Sequence, residues 1–135
     1  MFFTCLKIRK RGTAALEFAV IVPIFLILVI GSIEIGWALY IQNALIDASR
    51  LGARLAVTQG ASAETISISV SNYMQNMLAS PTGIVVTTTP DPASAIRGTP
   101  IVVTVTLPYD VTVTLIPPII MHNVVLEAQT TMNKE

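Results

Sequence analysis

Polar and apolar positions divide the chain into a long apolar run, an amphipathic stretch and a region of short alternating runs. No charged residue occurs from Phe18 to Ile33, and apolar character continues to Ile41 with Glu34 as its one acid. The segment 13–41 is longer than the ~20 residues that a helix needs to cross ~30 Å of hydrocarbon. It is therefore predicted to be a transmembrane helix.

The far end of this helix carries residues that suit a membrane boundary. Trp37 and Tyr40 have the amphipathic rings that favour the lipid headgroup layer. Glu34 is expected to lie close enough to this boundary to reach water.

The helical period continues over 42–60, but one face becomes polar. Apolar and small residues repeat at three-and-four spacing, as in an amphipathic helix. They are Ile41, Ala44, Leu45, Ala48, Leu51, Gly52 and Leu55, with Asn43, Asp47, Arg50 and Arg54 on the opposite face. The small residues Ala44, Ala48 and Gly52 are predicted helix-packing positions, because they would let another backbone approach closely.

Beyond a break at 60–62, the region 61–135 is predicted to be a small α+β body on the far side of the membrane. A second helix is expected from Ser62 or Ala63 to Leu78. Four runs rich in Val, Ile and Thr follow at 84–88, 101–107, 110–115 and 124–132, and the last three alternate with period two. The predicted fold class is α+β: a long N-terminal helix, a short second helix and a small antiparallel sheet of about four strands.

Charge is concentrated at the start of the chain. The formal net charge is zero, yet four of the eight Lys and Arg residues precede Gly12: Lys7, Arg9, Lys10 and Arg11. Such a cluster predicts a cytoplasmic N-terminus by the positive-inside rule. The balanced charge elsewhere argues against a nucleic-acid partner, which would need a sustained cationic surface.

The order of these features points to an unusual processing site. A secretory signal is cut after its apolar run, but here the obvious point, Gly12 to Thr13, lies before it. Cutting there would remove a basic leader, 1–12, and leave the apolar helix on the mature protein. Glu17, an acid inside that helix, is then a functional candidate whose natural partner is the new amino group of Thr13, on the same or a neighbouring subunit.

Catalytic chemistry is not indicated. His122 is the sole histidine and Cys5 the sole cysteine, so neither a metal site nor a disulfide is predicted. No phosphate-binding glycine loop is present. The sequence therefore predicts no enzyme, cofactor, metal or small-molecule substrate.

The first third of the chain resembles the TadE-like family of pseudopilins of tight-adherence (Flp-type) pili. The resemblance rests on Arg11, Gly12, Glu17, Phe18, Pro23, Gly31, Glu34, Tyr40, Leu45, Ala48, Ala53 and Arg54. It implies a leader removed after Gly12 by a prepilin peptidase, with Glu17 at the fifth mature position and the aromatic Phe18 after it. The expected partners are then the bilayer, that peptidase, other pilin subunits and inner-membrane assembly proteins.

The leading hypothesis is a minor pilin, inserted in the inner membrane as a single-pass protein with its N-terminus in the cytoplasm. Two alternatives remain open. One is an uncleaved, membrane-anchored binding module that starts at Met1. The other is a secreted protein that loses its first forty residues and starts near Gln42.

Overall fold

The fold consists of two helices followed by a three-stranded sheet in the described residues. The computed structural model describes residues 11–78, 81–109, 121 and 123–135. The elements in order are α1 (Arg11–Ala56), α2 (Ala63–Met77), β1 (Val85–Thr89), β2 (Pro100–Pro108) and β3 (Val125–Asn133). The predicted α+β class is confirmed, and the strand expected at 110–115 lies outside the described residues.

Helix α1 continues through Pro23 and ends at Ala56, close to the predicted end. After the last turn, the Thr58 amide donates to the Leu55 carbonyl at 3.2 Å. Gly60 then has a φ of +77°, a conformation that glycine adopts without steric cost. The predicted break between the helices therefore follows from the backbone at Gly60.

Helix α2 begins where Ser62 caps it. The Ser62 hydroxyl accepts a hydrogen bond from the Thr65 amide at 3.2 Å, which satisfies one of the unpaired donors of the first turn. Its buried side chains are Ile66, Val70 and Met74, one apolar stripe at helical spacing. The predicted second helix is confirmed.

The sheet is antiparallel, with strand order β1-β2-β3. Val105 of β2 pairs with Val86 of β1 and with Ala128 of β3, which fixes the register. Residues of β2 alternate between the core and the outer face, so that Ile101, Val103, Val105 and Leu107 are all fully buried. This face packs in the same core as the apolar faces of α1 and α2.

The chain divides into two compact units, Met1–Ile33 and Glu34–Glu135. The first unit contains the described start of α1. The second, called the body below, contains the rest of α1, α2 and the sheet. Its core of buried hydrophobic residues extends along the sequence from Ala38 to Ala128.

Candidate assembly site

The predicted cleavage point lies on an exposed stretch of α1. Gly12 and Thr13 are exposed, and a Cβ added to Gly12 would meet no atom within 4 Å.

Glu17 lies one helical turn after Thr13. Residues four apart share a face of an α-helix, so the Glu17 side chain and the Thr13 backbone lie along the same side of α1. Glu17 is exposed, and Phe18 beside it is 69% exposed. These four predicted site residues are thus placed together on two turns of helix.

An apolar surface surrounds this single acid. Every described side chain from Thr13 to Val29 is exposed, except the half-buried Val22. Most are large and apolar, with Leu16 at 71% and Ile27 at 67% exposure. In the described part of the chain, α1 is the one helix long and apolar enough to cross a membrane.

Glu34 does not reach water as expected from the sequence. It is 6% exposed, and its carboxylate accepts a hydrogen bond from the Met121 amide at 2.8 Å. The Tyr109 hydroxyl donates to the Glu34 carbonyl oxygen at 3.3 Å. Burial raises the pKa of the Tyr109 hydroxyl, and the nearby Glu34 carboxylate raises that pKa further. The expectation was wrong because the Glu34 carboxylate is buried and accepts its hydrogen bond from a backbone amide in a distant part of the chain.

The predicted packing positions lie in the core of the body. Ala44 and Ala48 are buried, and a Cβ on Gly52 would lie 2.9 Å from Val103 Cγ1 and 3.1 Å from Val70 Cγ2. At Gly52, therefore, the close approach joins α1 to α2 and β2 of the same chain.

Two polar contacts between α1 and β3 could not be predicted from the sequence. Ser49, fully buried, shares a hydrogen bond with the Thr130 hydroxyl at 2.7 Å. Gln42 Nε2 donates to the Glu127 carbonyl at 2.8 Å. Because both partners lie more than eighty residues away in sequence, helical periodicity could not indicate them.

Residues 11–78, 81–109, 121 and 123–135 contain no group of three His, Cys, Asp or Glu side chains that could hold a metal ion. His122 and Cys5 lie outside these ranges.

Comparison with known proteins links the apolar helix to one family. The family model described as TadE-like protein matches residues 12–54, the segment that carries Gly12, Glu17 and Glu34. The comparisons with curated proteins and with solved structures each give no match. The TadE-like family is a structural family associated with the Tad pilus, and one N-terminal apolar helix fits a single-pass membrane protein of that system. The predicted resemblance is confirmed over residues 12–54, where the chain is similar to the TadE-like family.

Proposed function

We propose that this chain is a minor pilin, cut after Gly12 by a prepilin peptidase and used to assemble a Tad pilus. One observation carries the proposal. In the stretch 13–33 of α1, a single acid, Glu17, lies among mostly exposed apolar side chains, one turn from the residue that cleavage would make the N-terminus.

Of the predicted transmembrane helix, 13–41, the burial pattern supports residues 13–33 as the part that crosses the hydrocarbon layer. These 21 residues rise about 31 Å at 1.5 Å each, which matches a hydrocarbon layer of about 30 Å. The body begins at Glu34, and from Ala38 onward the side chains on the inner face of α1 are buried in its core. The basic cluster before Gly12 favours the cytoplasmic side of the inner membrane for the N-terminus, and the body then lies outside the cytoplasm.

Glu17 supplies the directional interaction in assembly. When an apolar helix moves from lipid into a bundle of like helices, apolar contacts replace apolar contacts, so the hydrophobic term nearly cancels. An ion pair between Glu17 and the Thr13 ammonium of a neighbouring subunit contributes about 4 kcal/mol at 4 Å and an effective dielectric constant of 20. This pair fixes the register between subunits.

The partners follow from these steps. The bilayer holds the apolar helix, the peptidase removes the leader, and other pilin subunits receive the mature helix. Inner-membrane proteins of the pilus system extract the subunit from lipid.

The first test is the mature N-terminus. N-terminal sequencing of the protein from membranes and from sheared pili should give Thr13 as the first residue. A chain that starts at Met1 in both fractions would contradict the proposal and support the uncleaved binding module.

The second test replaces Glu17 with Gln. Glu17→Gln should still insert into the membrane, yet its incorporation into pili should fall at least about tenfold, since a loss of about 1.4 kcal/mol is a factor of ten. The readout is the ratio of subunit in sheared pili to subunit in membranes, by immunoblot. Glu127→Gln is the matched control, because Glu127 is an exposed acid on β3 whose backbone oxygen, rather than its side chain, contacts α1. Normal incorporation of Glu17→Gln would exclude the ion pair.

A further inference from the structure

The outward face of α1 changes character inside the body. Ile35, Leu39 and Tyr40 are exposed by 49%, 60% and 45%. Asn43 and Asp47, one and two turns further, are exposed and polar. The apolar surface of α1 therefore extends about two turns past the point where the body begins, although the opposite face is already packed in the core.

Helix α2 contributes to the same surface. The Tyr40 hydroxyl donates to the Met77 carbonyl at 3.3 Å, so the last residue of α2 lies against α1 at this level. The Met77 side chain is 45% exposed. Trp37 stacks on Tyr40 with ring centroids 5.2 Å apart. These residues, Ile35, Trp37, Leu39, Tyr40 and Met77, are called the basal patch.

The charged residue nearest to the basal patch in the sequence, Glu34, is buried inside the body. Between Phe18 and Ile46 the sequence contains one charged residue, Glu34. Glu34 is buried and its carboxylate accepts from the Met121 amide. A polar group at membrane depth must find its partners within the protein, and Glu34 meets that requirement.

The size of the basal patch is close to that of the headgroup layer. From Glu34 to Tyr40, within the body, α1 rises about 9 Å. The headgroup layer adds about 5 to 8 Å on each side of a bilayer. Trp and Tyr rings favour this layer, and Leu and Met side chains can reach the acyl boundary below it.

We propose that the basal patch is seated in the headgroup layer of the bilayer, so that the lower end of the body rests in lipid. Lipid is the occupant because the patch is uncharged and carries Trp and Tyr rings, which favour the headgroup layer. The inference rests on the membrane span proposed above. The opposite end of the body, where Lys134 contacts the carbonyls of Ala56 and Pro92, faces the aqueous phase.

The test uses fluorescent labels on single cysteines of the full chain in nanodiscs that each hold one copy. In a Cys5→Ser background, the label is attached to Met77→Cys at the basal patch. The matched control is Ile96→Cys, since Ile96 is 78% exposed and belongs to the loop before Gly98, whose amide contacts the Lys134 carbonyl. Leu26→Cys, in the middle of the proposed span, reports insertion.

Iodide in the aqueous phase should quench the label at position 77 about threefold less than the label at position 96, because interfacial burial of 5–10 Å removes that face from water. Headgroup-labelled quencher lipids should show the reverse order. They should also quench Trp37, the sole tryptophan, more strongly than lipids labelled at the acyl-chain end.

Three results would overturn the inference. Equal iodide quenching at positions 77 and 96, with position 26 still protected, would mean that the span is correct but that the basal patch lies in water rather than in the headgroup layer. Iodide quenching at position 26 would remove the span as well. Protection at position 77 that appears only with two chains per disc would assign the patch to a second copy.

Discussion

At the scale of single residues, Gly52 lies in a tightly packed part of the core. Its missing Cβ leaves room for methyl groups of Val103 and Val70, which would otherwise lie 2.9 Å and 3.1 Å away. Both neighbours are branched at Cβ and have few rotamers, so they cannot move aside easily. The helix therefore keeps a residue that is about 1 kcal/mol less favourable than alanine, because α2 and the sheet approach there.

Gly52→Ala is expected to destabilise the body by about 1 kcal/mol. Overpacking costs ~1–3 kcal/mol, and the better helix propensity of alanine returns about 1 kcal/mol of that. Urea unfolding of the full chain in detergent, followed by Trp37 fluorescence, measures the difference. Gly36→Ala is the matched control, because Gly36 lies on the same helix and an added Cβ would meet no atom within 4 Å. Equal shifts for both variants would mean that the contact does not limit packing.

Residue burial on α1 was predictable where it depends on helical period. Ala44, Leu45 and Ala48 were assigned to one face from their spacing, and all three are buried. Ser49 was missed, because a serine at the edge of the stripe gives no signal and its partner, Thr130, is 81 residues away. The buried state of Glu34 was missed for the same reason, since Met121 is 87 residues away. Periodicity reveals a face but does not reveal the distant group that contacts it.

At the scale of elements, the end of α1 is held by the last part of the chain. Lys134 Nζ donates to the carbonyls of Ala56 at 3.1 Å, Thr58 at 2.7 Å and Pro92 at 3.2 Å. An ammonium group near a helix C-terminus also interacts favourably with the helix dipole. One side chain thus joins α1, the turn after it and the loop before β2.

Lys134→Met should lower the free energy of unfolding by about 2 kcal/mol, the typical value for a hydrogen bond to a charged group. The loss should be local at first, with faster hydrogen exchange of the Val57 and Thr58 amides, which close the last turn of α1. Arg54→Met serves as control, because Arg54 is an exposed cation in that same turn. If the Val57 and Thr58 amides exchange at the same rate in both variants, any positive charge near the end of α1 stabilises it equally. The three carbonyl contacts of Lys134 would then contribute no further stability.

The strands were predictable in position but not in order. Runs rich in Val, Ile and Thr predicted strands at 84–88, 101–107 and 124–132, and each predicted end lies within one residue of an observed strand end. Alternation assigns an inner and an outer face to each strand, because side chains point to opposite faces in turn. It does not identify neighbours, which here depend on pairs such as Val105 with Ala128.

At the scale of the whole molecule, the division after Ile33 bears on the alternative in which the first forty residues are discarded. A chain that starts near Gln42 would lack Glu34, Ala38 and Ile41. All three are buried in the body, and Ile41 is among its largest fully buried side chains. Removal of these residues would open the core beside the sheet.

Two truncated chains test this division. A chain that starts at Glu34 retains every buried residue of the body core, so it should unfold cooperatively in urea. A chain that starts at Gln42 should be less stable by at least about 2 kcal/mol, the lower end of the cost of truncating a buried isoleucine. Circular dichroism is the suitable measurement, because the shorter chain lacks Trp37. Equal unfolding midpoints would show that Glu34, Ala38 and Ile41 do not support the fold, and a mature start near Gln42 would then be compatible with a stable body.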